Sequence, residues 1–130
     1  MTVNYLGAVF VHVSNLEQSI AFYSDVLGLA LRDVEQWDEG RGANYRIGEH
    51  SPLLTLIEDR DFQIYEQPVF NLNCSHVLDL YEKFTQQGIK VGPLHNWSSA
   101  RNVHLDFDIY DPDGHAINLI EWHERTDIND

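Results

Sequence analysis

The sequence predicts an α+β fold made of two βαβββ modules, and three observations lead to that prediction. Each half of the chain contains one amphipathic helical pattern that ends at a glycine, Gly28 in the first half and Gly88 in the second. Short runs rich in β-branched and aromatic residues surround both helices in the same order. The two glycines lie 60 residues apart, which indicates an internal duplication.

The first module covers about residues 4–60 and begins with the strand-like run Tyr5–Val13. Asn15, with Gln18 three residues later, forms the pattern of a helix capping box. The helix that follows continues to Gly28, which suits a left-handed stop. Three short strands are predicted to complete this module, at Leu29–Val34, Ala43–Gly48 and Leu53–Glu58.

The second module covers about residues 67–124 and repeats this order. Val69–Cys74 is the first predicted strand, Ser75 the predicted helix cap and Val77–Gln87 the predicted helix. Three more strands are predicted to follow, at Ile89–Gly92, Val103–Tyr110 and His115–Trp122. The polar tail 125–130 is expected to fray.

Composition limits the classes of function. Hydrophobic residues make up 43% of the 130-residue chain, which excludes a disordered protein. The net charge of −13 argues against nucleic acid or an anionic membrane as partner. The single cysteine, Cys74, excludes a disulfide framework. Because no basic leader and no apolar run of about 18 residues is present, we expect a cytoplasmic protein.

Two segments resemble a known superfamily. Val11–Leu31 carries a Phe-Tyr pair followed by Leu-Gly, and Tyr110–Glu121 carries an Asp-Pro-Asp-Gly turn before a strand. Both are similar to the vicinal oxygen chelate superfamily, which includes glyoxalase I, bleomycin-resistance proteins and extradiol dioxygenases. The resemblance implies one domain of residues 1–130, with a cleft between two curved mixed sheets. It also implies a homodimer that binds a small molecule.

Enzymes of this superfamily hold a divalent metal with one His, Glu or Gln from each of four strands. The matching positions here are Ala8, Thr55, Val69 and Asn118. Ala8 and Val69 carry no donor atom, and the neutral amide of Asn118 lacks the charge that supports affinity for a hard cation. We therefore expect no metal or other cofactor.

The candidate ligand-binding residues are all expected on the cleft face. Each either occupies a position that the superfamily resemblance assigns to the cleft or shares its strand face with such a position. They are Phe10, His12, Thr55, Asn71, Asn118 and Trp122. His12 is open to two interpretations, a general base or a buried neutral imidazole bonded to a backbone carbonyl. His115 is expected at the surface, and the segment around Trp97 is expected to form a loop over the cleft. The acidic run 33–40 is interpreted as a solvated turn.

The favoured interpretation is a metal-independent protein that binds a small, partly aromatic, neutral or cationic molecule in the cleft. One alternative is a divalent-metal-dependent lyase or dioxygenase with displaced ligands. Its ion (Zn, Ni, Mn or Fe) would be bound by His12 and His104 together with Asp106 or Glu58. Another alternative is a non-catalytic interaction module. Whether the protein catalyses a reaction stays open at this point.

Overall fold

The computed structural model describes residues 2–124, which form two compact units. One unit contains the chain up to Ile64 together with Asp111–Asp113, and the other contains Tyr65–Tyr110 and the chain from Gly114 onward. Each unit holds one four-stranded mixed sheet and one helical segment. The predicted α+β fold of two βαβββ modules is therefore confirmed. The predicted tail 125–130 lies outside the described residues.

The first unit contains one four-stranded sheet and a short helix that continues as a π-helical turn, Phe22–Val26. The remaining elements are β1 (Ala8–Val13), α1 (Leu16–Ala21), β2 (Leu31–Trp37), β3 (Gly40–Arg46) and β4 (Leu53–Glu58). The strands lie in the order β1-β4-β3-β2, with β1 and β4 parallel and the other neighbours antiparallel.

The helix of the first unit begins and ends where the sequence predicts. Oδ1 of Asn15 accepts a hydrogen bond of 2.9 Å from the backbone N–H of Gln18, as expected for a cap. Gly28 ends the helix with a φ of +71°, a conformation that costs glycine little. The sequence did not predict the π-helical turn, in which the N–H of Leu27 bonds the carbonyl of Phe22, five residues back.

A buried tyrosine of the π-helical turn is bonded to an acidic turn. Tyr23 is fully buried, and its hydroxyl donates to Oδ2 of Asp111 over 2.9 Å. The backbone N–H of Asp113 donates to the other oxygen, Oδ1 of Asp111, over 3.0 Å. Burial, and then the Asp111 carboxylate, raise the pKa of Tyr23 well above its ordinary value. The phenol therefore stays protonated and acts as a donor.

The second unit repeats the arrangement with one longer helix. The elements are β5 (Asn71–Asn73), α2 (Val77–Gln86), β6 (His95–Ser98), β7 (Asn102–Tyr110) and β8 (Ala116–Glu124). The strands lie in the order β5-β8-β7-β6, with β5 and β8 parallel and the other neighbours antiparallel.

Two local predictions for the second unit are wrong. The apolar run Ile89–Gly92 forms only an isolated bridge at Val91, and the strand lies at His95–Ser98, in the segment around Trp97 that was expected to be a loop. This polar segment lacks a strand pattern of its own and becomes a strand by pairing with β7. Such pairing is a tertiary effect that local sequence does not reveal.

The N-terminus of α2 also differs from the prediction. The cap residue is His76, in a left-handed conformation with φ 58°, and not Ser75. His76 makes no side-chain cap bond. Instead, Oε1 of Glu121 accepts a hydrogen bond of 3.1 Å from the N–H of Val77. This contact lowers the pKa of the Glu121 carboxyl.

One face of the second sheet packs against α2. On this face, Phe107 contacts Tyr81 and Phe84 of α2, with ring centroids 5.2 and 6.4 Å apart. Burying a side chain of this size contributes about 1.5–3 kcal/mol.

His115 was expected at the surface, but only 1% of it is exposed. Its Nδ1 accepts a hydrogen bond from the Tyr65 N–H, and its ring stacks on the Tyr65 ring. No helix in the described part of the chain is long and apolar enough to cross a membrane.

The buried Tyr23–Asp111 hydrogen bond predicts a specific loss of stability. We expect Tyr23→Phe to lower the free energy of unfolding by about 1.5–3 kcal/mol, because a buried carboxylate loses one of its donors. Urea denaturation followed by circular dichroism measures the change. The matched control is Tyr5→Phe at a side chain that is 81% exposed, where no change is expected. Equal stability of the two variants would contradict this account.

Candidate functional site

A pocket of about 300 Å³ lies on the sheet of the first unit. Its walls come from alternate residues of all four strands, which point to the face away from α1. The neighbouring positions Val11 and Leu56 are buried on the helix side. The lining residues are Ala8, Phe10, Glu35, Trp37, Gly42, Asn44, Leu53, Thr55 and Ile57.

Small residues in the strands leave room for the pocket. Ala8 extends only a methyl group into it. At Gly42, an added Cβ would lie 2.7 Å from the backbone oxygen of Leu56 and 3.2 Å from the ring of Trp37. Any larger residue at Gly42 would therefore force the backbone or the indole to move.

Asn44 is the centre of the polar network in this pocket. Its Nδ2 donates to Oδ1 of Asp33 and to Oε1 of Glu35, each over 2.7 Å, and its Oδ1 accepts from the hydroxyl of Thr55 over 2.7 Å. Asn44 and Thr55 are buried, at 5% and 7% exposure. The Asn44 contact lowers the pKa of the Asp33 carboxyl. Asn44 therefore holds two carboxylates in fixed positions through its amide N–H groups.

Aromatic side chains complete the pocket. Phe10 is 56% exposed and Trp37 is 44% exposed, which is high for rings of this size. Glu35 is the one charged residue among the lining residues. The pocket thus combines a largely apolar surface with one carboxylate and one threonine hydroxyl.

His12 lies on the same strand as Ala8 and Phe10 but does not line the pocket. Its Nδ1 is 2.8 Å from Oδ2 of Asp59, and its side chain is 42% exposed. This partner is a carboxylate, whereas one interpretation of the sequence expected a backbone carbonyl. The His12 contact lowers the pKa of Asp59. The carboxylate would orient the imidazole.

A polar cavity of about 530 Å³ lies beside this pair, near the start of α1. Arg41 spans it by donating to Glu58 through Nε over 2.8 Å and by pairing with Glu17 over 2.8 Å. Glu58 also accepts from the backbone N–H of Leu16. Arg41, followed by that N–H, lowers the pKa of Glu58. The charged groups in this network already bind one another, and so we assign it a structural role.

The second unit has a polar network of the same design. Nδ2 of Asn118 donates to Oδ2 of Asp106 over 2.9 Å and to Oδ1 of Asp108 over 3.0 Å. The indole N–H of Trp97 donates to Oδ1 of Asp106 over 3.0 Å. Asn71 pairs with Asn118 across β5 and β8, and its side chain is exposed.

The structure distributes the predicted residues between the two units. Phe10 and Thr55 meet in the first pocket, and His12 lies on the same strand. The second sheet holds the others, which are Asn71, His104, Asp106, Asn118 and Trp122.

The donor atoms do not fit the metal site that the superfamily implies. Ala8 has no donor, and Val69 precedes β5 with a side chain that is 59% exposed. The hydroxyl of Thr55 is bound to Asn44, and the amide nitrogen of Asn118 to two carboxylates. Within residues 2–124, no three His, Cys, Asp or Glu side chains group as a metal site would need.

Sequence analysis missed the network around Asn44. The run 33–40, interpreted as a solvated turn, instead forms most of β2, which places Asp33 and Glu35 on the pocket face. The sequence contains one signal of this network. Asp33 and Glu35 are two residues apart, as are Asp106 and Asp108. Acidic residues at this spacing mark one face of a strand.

Replacing Asn44 by leucine is expected to change the acid stability of the protein. The lowered pKa of Asp33 adds stability that is fully present above the unfolded-state pKa of about 3.9 and is lost as the pH falls through the folded-state pKa. Because Asn44→Leu removes the main cause of this lowering, the stability curve should be flatter below about pH 4. Urea denaturation at a series of pH values measures this slope.

The control for this experiment is Asn4→Leu, which makes the same change at an exposed position. Its pH dependence should match that of the unchanged protein. If Asn44→Leu also kept the original slope, Asn44 would not be the group that lowers the pKa of Asp33.

Known structures share the fold described above. TnmS3, an antibiotic-binding protein from a Streptomyces strain, is 20% identical, with a TM-score of 0.73 over 93% of this chain and 98% of that chain. A superfamily member from Sphaerobacter thermophilus is 19% identical, with a TM-score of 0.76 over 93% and 99% of the chains. A lactoylglutathione lyase from Agrobacterium tumefaciens is 19% identical, with a TM-score of 0.68 over 93% and 96%.

No curated protein sequence matches the chain. The sequence model of the Glyoxalase/Bleomycin resistance protein/Dioxygenase superfamily matches residues 5–119, which is most of the chain. The match contains all of the first βαβββ module and the second up to its last strand, and so the chain belongs to the glyoxalase/bleomycin resistance protein/dioxygenase superfamily.

Proposed function

We propose that the protein binds a small, partly aromatic organic molecule in the pocket of the first unit and needs no metal ion to do so. The pocket itself is the observation that supports this function. Its volume of about 300 Å³ is at the lower end of the range for ligand sites, about 300–1,000 Å³. Apolar walls with a few fixed polar groups are typical of such sites.

The contacts in the pocket favour a ligand with a flat ring and one hydrogen-bonding group. Phe10 and Trp37 offer exposed aromatic surface, on which a ring gains both apolar burial and stacking. The Thr55 hydroxyl donates to Asn44, and its oxygen remains able to accept a bond from a ligand. Glu35 provides a second acceptor.

Metal independence is supported by the chemistry of the donor positions. The two carboxylates that face the pocket network, Asp33 and Glu35, are held by the amide of Asn44. That amide donates one N–H to an oxygen of each carboxylate, and so it orders both side chains. A binding function is also consistent with TnmS3, whose name describes it as an antibiotic-binding protein.

The proposal includes a homodimer in a reducing, cytoplasmic setting. Val3, Tyr5 and Leu6 are 71%, 81% and 67% exposed, and such a run of apolar side chains is a feature of interaction surfaces. Cys74 is a free thiol, and burial raises its pKa, which keeps it unreactive. Sedimentation equilibrium distinguishes a dimer from a monomer.

A substitution that fills the pocket tests this function. We use 2-naphthol, a neutral aromatic alcohol of suitable size, as the probe. Ala8→Leu should weaken its binding about tenfold or more, equivalent to about 1.4 kcal/mol, because the new side chain occupies the space of the ring. Titration calorimetry measures the dissociation constant.

The matched control is Ala30→Leu, which makes the same change at an exposed position outside the pocket. Its dissociation constant should equal that of the unchanged protein. If 2-naphthol fails to bind, or if Ala8→Leu binds it as tightly as the control, the pocket is not the binding site.

A further inference from the structure

One face of the second sheet brings aromatic and acidic side chains together. Strand alternation places His104, Asp106 and Asp108 of β7 on the same side, opposite the face that packs on α2. The pairing register then sets Trp97 of β6 and Trp122 of β8 on either side of His104. We call this surface the second-sheet face.

The aromatic rings of this face form a flat surface. The His104 ring lies 3.7 Å from the Trp97 ring with an angle of 19° between their planes, and 6.4 Å from the Trp122 ring at 33°. Trp97 is 47% exposed and Trp122 is 42% exposed. Two half-exposed tryptophans on neighbouring sides of one ring are unusual on a surface that only meets water.

His104 takes part through its ring rather than through hydrogen bonds. Both ring nitrogens are buried, and within the described residues neither has a hydrogen-bond partner. Leaving a buried donor unmatched is unfavourable, and the close contact of this ring is its stacking on Trp97. The result is a continuous aromatic platform.

The carboxylates beside the platform are fixed in position but not neutralised. The N–H groups that hold them come from the neutral side chains of Asn118 and Trp97. Among residues 2–124, the one titratable side chain paired with either carboxylate is His95, whose Nδ1 is 3.7 Å from Oδ2 of Asp106. In the first unit, by contrast, Arg32 pairs with Asp33.

We propose that the second-sheet face binds a flat organic cation, such as an N-alkylated heteroaromatic ring. The ring would stack on Trp97 or Trp122, where a cation gains from the negative face of the indole. Its positive charge would lie near Asp108 and Asp106, which attract it across the partly buried surface. This site belongs to the second unit and does not depend on the function proposed for the first pocket.

Other occupants are less well suited to this face. A bare metal ion would need three or more ligand side chains, and no such group exists among the described residues. An anion would be repelled by both carboxylates. A neutral ring would gain stacking alone. The combination of two tryptophans with two carboxylates therefore selects for a flat shape and a positive charge together.

The test compares two probes of the same shape, the cation 1-methylquinolinium and the neutral base quinoline, both at pH 8. Binding is followed through the indole N–H signals of Trp97 and Trp122 in ¹H–¹⁵N NMR spectra. The chain has three tryptophans, and so Trp37 provides the third indole signal, which reports on the first pocket. We expect the cation to shift both signals of the second-sheet face at lower concentration than quinoline does.

Two variants separate charge from stacking. Asp108→Asn should weaken binding of the cation about fivefold and leave quinoline unchanged, as expected when one partly exposed ion pair is lost. Trp122→Leu should weaken binding of both probes. Asp79→Asn, an equal charge change at an exposed position of α2, is the matched control and should change neither.

Three results would each overturn the proposal that the second-sheet face binds a flat organic cation. Equal binding of 1-methylquinolinium and quinoline would remove the role of charge, as would an unchanged dissociation constant in a folded Asp108→Asn variant. If neither indole signal moved with the cation, the face would not be a site at all. Binding of 2-naphthol in the first pocket is measured separately with Ala8→Leu, and so either proposal can fail without the other.

Discussion

In both units, one asparagine amide donates its two N–H bonds to a pair of carboxylates on the neighbouring strand. Asn44 holds Asp33 and Glu35 in the first unit. Asn118 holds Asp106 and Asp108 in the second. Carboxylates two residues apart on a strand repel each other, and a shared neutral donor keeps them ordered without cancelling their charge. The shape and charge of both sheet faces depend on this contact.

The residues around the asparagine amide differ between the two units, and the two sheet faces therefore differ in shape and in the groups they expose. In the first unit, Gly42 and Ala8 keep side-chain volume out of the face, and a pocket remains beside Asn44. In the second unit, Trp97 binds the carboxylate directly and stacks on His104, which gives a flat surface instead. The two units thus carry a common network on sheet faces of different shape, because the residues around the amide differ.

The sequence predicted those features that neighbouring residues determine. The Asn15 cap and the glycine ends of both helices depend on local backbone chemistry, and they are confirmed. Strand alternation placed Phe10 on the cleft face, and the superfamily resemblance placed Thr55 there; both line the pocket. The strand His95–Ser98 and the His76 cap were not predicted, because each depends on a partner distant in sequence. The Asn44 network escaped prediction for the same reason, since its members come from three different strands.

The central claim is that these faces bind organic molecules without a metal ion, and one measurement tests it most directly. Protein purified without a histidine tag is analysed for its metal content, and 2-naphthol affinity is measured before and after treatment with a chelator. The account predicts far less than one metal ion per chain and the same dissociation constant in both states. Near one ion per chain, with binding lost on chelation and restored by that ion, would contradict it.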